Sequence, residues 1–184
     1  MAEFRRLGLD GLVEVRPARS GDARGFFSET WKAEWHLEFG FDGAFVQDNY
    51  SFSQPAGVLR GLHLQVAPAA QDKLIRVIRG AVFDVAVDVR AGSPTYGRHE
   101  SLILSAEAWN QLFVPRGFAH GFLTLVPDTE VLYKVSAPYA PASERAIRFD
   151  DPAIGIDWPD MDEPLTISDK DRNAALLSEI VDVL

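Results

Sequence analysis

Two histidines stand where an imidazole could do chemistry. His63 lies in Gly57-Val-Leu-Arg-Gly-Leu-His-Leu-Gln65, and His120 in Val114-Pro-Arg-Gly-Phe-Ala-His-Gly-Phe122. Imidazole titrates near 6.5 in water, so at neutral pH such a ring can take a proton, return one, or bind a metal. The metal reading is the poorer of these, because a catalytic zinc is usually held by about three protein ligands. One imidazole in each segment is a poor metal cage, and the chain has no cysteine. No metal is expected. The lack of cysteine also excludes a thiolate nucleophile and a disulfide framework.

The elements that must hold these residues read as strands. Phe83, Val85, Val87 and Val89 alternate with Asp84, Ala86, Asp88 and Arg90, the period of two that puts one strand face, here the valine face, on a core. Further strands are expected at Ile75 to Ile78, Leu102 to Leu104, Phe113-Val114, Phe122 to Val126 and Val131 to Val135. Gly80, Gly92-Ser93-Pro94, Pro115-Arg116-Gly117 and Pro127-Asp128 punctuate them. Short strands with turns at this density point to a sandwich or barrel. Helical signals are confined to the ends. Ser28 to Phe39 carries Trp31 and Trp35 four apart, and Leu177, Ile180, Val181 and Leu184 keep helical spacing behind Ser168, a candidate N-cap. Five prolines between Pro138 and Pro164 predict irregular chain there.

Composition narrows the function classes. The chain has 184 residues, 47% hydrophobic and 24% charged, within reach of one well-cored domain spanning 1–184. Twenty-seven acids against eighteen Lys and Arg give a net charge of −9, the wrong sign for a nucleic-acid surface, so an anionic ligand must meet a local basic pocket. The N-terminal segment shows no signal-peptide pattern and no stretch approaches a membrane span, so a cytoplasmic protein with no membrane partner is expected.

The segment around His120 resembles the second motif of the cupin barrels, in which a Pro-x-Gly turn delivers a histidine to the barrel interior. The resemblance extends further. Asp22-Ala-Arg24-Gly-Phe-Phe-Ser-Glu29, Gln47-Asp-Asn49-Tyr-Ser51-Phe-Ser53, Gly57-Val-Leu-Arg60-Gly-Leu-His63, Lys73-Leu-Ile-Arg-Val, Asp84-Val-Ala-Val-Asp88-Val-Arg90, Ser93-Pro-Thr-Tyr-Gly97, Pro115-Arg-Gly-Phe-Ala-His120-Gly-Phe and Ser168-Asp-Lys170-Asp171 together resemble the dTDP-4-dehydrorhamnose 3,5-epimerase family, in order and over nearly the whole chain. The resemblance implies a mainly β fold, a cupin-type jelly-roll barrel with small peripheral helices. It also implies a cofactor-free isomerase whose substrate is a dTDP-4-keto-6-deoxyhexose, working as a homodimer whose members may exchange an N-terminal strand.

The implied chemistry needs no cofactor, because protons on carbons flanking a ketone are acidic enough for a side chain to remove. The negative charge spreads onto the carbonyl oxygen, which a cation can hold while an acid returns a proton from the other face. By family correspondence His63 is the base, oriented by Asp171 or by the neighbouring Asp169. Lys73 stabilises the enolate and Tyr133 is the acid. Tyr139 stacks on the thymine, while Arg24, Glu29, Gln47, Asn49, Arg60, His120, Glu144 and Lys170 hold nucleotide and sugar.

Read one at a time, several of these residues have plainer explanations. Ser168-x-x-Asp171 is the shape of a capping box opening a helix. Tyr133 alternates with Val131 and Val135 as a core tyrosine would, and Asp84 and Asp88 read as internal structural partners. Arg60 and His63, three apart, would point to opposite faces of a regular strand, and a β-bulge at Gly61 would reconcile them. Departures from the family pattern at Leu64, Asp72 and Arg98-His99 leave open whether both carbons are epimerised or only one. A metal-dependent cupin oxygenase and a non-catalytic sugar-nucleotide binding barrel are the readings from other classes.

Overall fold

The computed structural model describes residues 1–180. The strands are β1 (Glu3–Arg6), β2 (Val13–Arg16), β3 (Ser20–Asp22), β4 (Gly25–Phe27), β5 (Gln47–Ser53), β6 (Val58–Gln65), β7 (Lys73–Arg79), β8 (Ala81–Asp88), β9 (His99–Ser105), β10 (Gln111–Val114), β11 (Phe118–Thr124), β12 (Thr129–Val135), β13 (Glu144–Ala146) and β14 (Thr166–Ile167). Two one-turn helices, α1 (His36–Phe39) and α2 (Asp169–Arg172), lie at the margins. One sheet runs β1-β2-β10-β7-β12-β5 and the other β13-β6-β11-β8-β9, with β14 added to β6; β3 and β4 form a separate hairpin. This is the mainly β, cupin-type jelly roll that the sequence predicts.

The barrel interior carries an apolar cluster of Ile75, Val77, Val82, Ala86, Leu112, Val114, Phe118, Phe122 and Val131. Outside one sheet, Trp31, Trp35, Phe39 and Phe41 cover Val13, Val15, Leu74 and Phe113. Outside the other, Ile147, Ile154, Trp158 and Leu177 cover Leu62, Leu64, Val85, Val87, Val89 and Ala119. Both faces of each sheet are therefore partly buried, and the valine face of β8 lies on a core as the alternation predicts. Val85, Val87 and, just past the strand, Val89 face the outer cluster under the C-terminal segment, while Val82, Asp84 and Ala86 face the interior. The long wrap from residue 138 onward supplies that second cover, so alternation marked two faces without telling which one was inside.

The peripheral helices are shorter than the sequence predicts. Residues 28–32 are not helical; a 3-10 turn at Ala33–Trp35 runs into α1, which stops at Gly40 in the left-handed conformation (φ 63°). Ser168 does cap α2, accepting from the Asp171 amide at 3.1 Å, but α2 ends at Arg172 and a separate 3-10 turn holds Leu177–Glu179. Val181 and Leu184 lie outside the described residues. The irregular stretch contains one short strand, β13, which pairs with β6 at Glu144↔Gln65 and Ala146↔His63.

Candidate active site

The interior beside the apolar cluster opens into a cleft of about 850 Å³. Its two walls are the two sheets. From β6 and β11 come Arg60, His63 and His120; from β5, β7 and β12 come Gln47, Asn49, Ser51, Lys73 and Tyr133. Tyr139, Glu144, Lys170 and Asp171 close its rim.

The wall at β6 depends on a bulge. Between His120↔His63 and Phe122↔Arg60, β11 advances two residues while β6 advances three. The extra residue turns Arg60 and His63 toward the same cleft, as the sequence reading required. Gly61 takes φ 132°, and a Cβ built on it would lie 2.5 Å from the Gly121 Cα, so both glycines are demanded by the close approach of two backbones. A bulge frees an amide from the ladder, and here Gly61 N–H donates to Asp171 Oδ2 at 3.2 Å.

Asp171 thereby serves two groups. Its Oδ1 lies 2.6 Å from His63 Nε2, and the carboxylate is buried. Burial alone would raise its pKa, but hydrogen bonding and attraction from His63 and the Gly61 amide outweigh that and hold it below the ordinary carboxylate range. An ionised Asp171 can only accept, so the hydrogen between them sits on Nε2 of His63. Asp169 is exposed and does not line the cleft, so Asp171 is the carboxylate that meets His63. Only half of the capping box forms: the Asp171 backbone N–H bonds Ser168 Oγ, while its side chain turns to β6 and not back to the helix start.

Lys73 is 7% exposed and donates to the His63 carbonyl at 3.1 Å. Desolvation pulls its pKa down to about 8, resisted by the charges of Asp84 and Glu144. Tyr133, on the neighbouring strand β12 of the same sheet, is pushed up by burial, so its hydroxyl keeps its proton at neutral pH. His120 is held through Nε2, 2.9 and 3.0 Å from the two oxygens of Asp84, which has no exposure. Glu144 accepts from Lys170 at 2.6 Å and from the Tyr139 hydroxyl at 3.0 Å, and Gln47 donates to Asn49 at 2.7 Å. Asp88, read as structural, is a staple: its carboxylate takes bonds from Arg90, Ser93 and Thr95, fixing the turn after β8.

Eleven of the thirteen predicted site residues therefore line one cleft. Arg24 and Glu29 do not. Arg24 sits on the turn of the β3–β4 hairpin, its side chain 88% exposed and paired with Asp22, and Glu29 pairs with Lys32 at 2.6 Å. The reason is the course of the chain: after the hairpin it is fastened outside the barrel, where the Thr30 carbonyl accepts from Gln111 and Ser28 Oγ from the Trp109 indole. The sequence reading missed Ser51, Gln65, Gln71, Phe122 and Thr166 as lining residues. The alternation of Gln47, Asn49, Ser51 and Ser53 with outward Asp48, Tyr50 and Phe52 carried the signal for Ser51, whose Oγ is buried without a hydrogen-bond partner among the described residues.

Comparison with known proteins gives the same picture. Residues 6–179 match the family described as dTDP-4-dehydrorhamnose 3,5-epimerase. A dTDP-4-dehydrorhamnose 3,5-epimerase of Sinorhizobium fredii is 50% identical over 177 residues, 96% of this chain and 90% of that protein. One of Methanothermobacter thermautotrophicus is 49% identical over 182 residues, 97% of each. The fold is similar to the crystal structure of a dTDP-6-deoxy-D-glucose-3,5-epimerase from Legionella pneumophila in complex with dTDP-4-keto-L-rhamnose. That similarity has TM-score 0.93 and 44% identity and covers 98% of this chain and 95% of the other.

Proposed function

The chain belongs to the dTDP-4-dehydrorhamnose 3,5-epimerase family, and on that premise we propose that it converts dTDP-4-keto-6-deoxy-D-glucose to dTDP-4-keto-L-rhamnose by exchanging protons at C3 and C5. The observation that carries this reading is the opposition of base and acid. His63, held by Asp171, stands on one sheet, Tyr133 on the other, and Lys73 opens on the same cleft. Inversion at a carbon requires removal and return of a proton on opposite faces, and two facing walls supply that.

In this mechanism Nδ1 of His63 takes the proton beside the ketone, and the electrons move onto the carbonyl oxygen. Lys73, mostly protonated below its pKa of about 8, donates to that oxygen in a site with little water, where such a bond is worth far more than in bulk solvent. Tyr133 then gives its proton to the carbon from the other wall; His63 passes the proton it took to solvent and solvent returns one to Tyr133, which resets both groups. The same cycle at the second flanking carbon completes the reaction. Asp171 acts through His63: it fixes the tautomer and stabilises the imidazolium that forms.

Arg60, Gln47, Asn49 and His120 are proposed to hold sugar and diphosphate, with Tyr139 stacking on the thymine. Glu144 holds Lys170 and Tyr139 at the rim, and exchange of Lys170 onto the diphosphate admits the nucleotide. Arg24 and Glu29 are proposed to reach the cleft of a second copy. This is supported by their projection away from their own cleft and by the exposed Phe26 and Phe27 beside them, 54% and 72% accessible. The working unit is then a homodimer of single-domain chains spanning 1–184, and the cytoplasm is its proposed location. Among the described residues no helix is long and apolar enough to cross a membrane.

The test is incubation with dTDP-4-keto-6-deoxyglucose in heavy water, following deuterium at C3 and C5 by mass spectrometry and NMR. Entry at both carbons, abolished in His63→Ala, is expected. Entry at one carbon would make the enzyme a single-position epimerase, and binding without entry would overturn the catalytic reading in favour of a binding barrel. Loss of activity on chelation would overturn the cofactor-free mechanism.

A further inference from the structure

Pro138, Tyr139 and Ala140 follow β12 without joining any strand or helix, and the Tyr139 side chain is exposed. Backbone polar groups outside a ladder still need partners, and here side-chain amides supply them. Gln71 Nε2 donates to the Ala137 carbonyl at 2.7 Å, and the Tyr139 N–H donates to Gln47 Oε1 at 3.3 Å. Gln65, the last residue of β6, makes two such bonds. Its Nε2 donates to the Pro138 carbonyl at 3.2 Å, while its Oε1 accepts from the Ala140 N–H at 2.8 Å. These bonds bracket Tyr139, one residue to either side.

We propose that Gln65 is a positioning residue for the nucleotide end of the cleft, fixing the backbone around Tyr139 so that the ring is in place before the base arrives. The inference rests on the reading of Tyr139 as the residue that stacks on the thymine. A ring ordered beforehand removes part of the ordering cost from binding. The residue type follows from the task. One group must donate to a carbonyl and accept from an N–H, which a primary amide does and neither a carboxylate nor an ammonium can.

The amide is itself held in place. Gln65 is 5% exposed, and its Nε2 also donates to the Ala69 carbonyl at 2.7 Å, in the loop between β6 and β7. A buried side chain bonded at both amide atoms carries the position of β6 to the rim. The far end of the Tyr139 ring is fixed from the neighbouring strand: Glu144, opposite Gln65 in the β6–β13 register, accepts from the tyrosine hydroxyl at 3.0 Å. His63 stands two residues before Gln65 on β6, so one strand sets both the base and the nucleotide rim. Gln47 also bonds the segment, but it is proposed to hold the substrate directly, and its loss would not isolate Tyr139. Gln65 is the residue that does.

The test is calorimetric titration with dTDP of the parent, Gln65→Met, Tyr139→Ala and the double variant. Methionine keeps the length of the side chain and removes both donor and acceptor. Tyr139→Ala is expected to weaken dTDP binding about tenfold or more, as loss of one base–aromatic stack does. Gln65→Met is expected to weaken it about fivefold, the weight of one net hydrogen bond. The double variant should bind no more weakly than Tyr139→Ala alone, because residues that act as one unit do not add. In turnover the Gln65→Met loss is expected to fall on KM far more than on kcat. Unchanged dTDP affinity in Gln65→Met, a loss that persists undiminished on top of Tyr139→Ala, or a loss confined to kcat overturns the proposal. The two readings fail differently. Tyr139→Ala without effect defeats the stacking reading and the proposal with it, whereas a Tyr139→Ala loss that Gln65→Met does not share defeats the positioning alone. Should Gln65→Met not fold, hydrogen exchange in the unsubstituted chain decides. The Ala140 amide is expected to exchange far more slowly than a free peptide amide although it lies outside any strand, and exchange at the free rate overturns the clamp.

Discussion

Replacing Lys73 by methionine is expected to remove most of the activity while making the fold more stable. The burial that brings the lysine's pKa from 10.5 to about 8 is a free-energy difference between its charged and neutral forms in the folded state. Each unit is worth about 1.4 kcal/mol, so housing the cation costs about 3 kcal/mol at neutral pH. Methionine has similar length and no charge to desolvate. It forfeits the bond to the His63 carbonyl, a loss of about 1 kcal/mol, which leaves a net gain of about 2 kcal/mol. For a chain of this size that raises Tm by about 4–8 °C. The sign with pH is fixed by linkage. Lys73 has a depressed folded pKa, so below about 8 both states are charged and the full cost is present. Between about 8 and 10.5 the folded state sheds its proton before the unfolded state does, and the parent recovers stability. The advantage of Lys73→Met is therefore largest at pH 7 and shrinks steadily by pH 10. Urea unfolding of both proteins at equal concentration, at each pH unit from 7 to 10, measures it, and turnover at pH 7 is expected to fall by about 10²–10³, the usual effect of removing one donor to a developing oxyanion. A variant no more stable than the parent at pH 7, or an advantage independent of pH, would refute the reasoning.

Gly61→Ala combines a positive φ with a Cβ 2.5 Å from the neighbouring backbone; it is expected to cost more than about 2 kcal/mol in urea unfolding and to weaken substrate binding by turning Arg60 away from the cleft. In Tyr133→Phe the base is intact and the opposing acid is gone, so deuterium exchange at the sugar is expected to survive while inversion falls by about 10²-fold or more, visible by NMR as labelled sugar of unchanged configuration. Asp171→Asn is expected to cost activity through the wrong His63 tautomer, by about 10²-fold or more. Because the Asp171 pKa is depressed in the fold, the stability gap between parent and this variant is present above about pH 4 and closes as pH falls through the folded value. Acid unfolding of the two proteins side by side checks that sign.

Much of the site was legible before any coordinates because the residues carrying the chemistry belong to short local patterns. His63, Lys73, His120, Tyr133 and the Ser168–Asp171 segment each sit in a segment whose residue types and order are informative, and side-chain parity left two choices at Gly61, a bulge or a regular strand with Arg60 turned out of the site, between which the register decides for the bulge. Strand periodicity likewise located the sheets, since a period of two is imposed by the pleat itself. Neither kind of signal says which sheet faces which. The valine face of β8 was visible as apolar, yet it packs under a C-terminal wrap that periodicity does not reveal, while Asp84 on the other face turned out to lie inside the barrel beneath His120. The pairing of Asp171 with His63 spans 108 positions, and Glu144 meets Lys170 only because β13 joins the edge of β6. Arg24 and Glu29 are the opposite case: their segment resembles the others as closely, but this chain's own fold carries it away from its cleft. Residue identity and spacing determined which groups could act as base, acid and cation. Only long-range packing decided their relative positions, because a contact between distant segments depends on the closure of the whole barrel and not on any stretch of sequence within it.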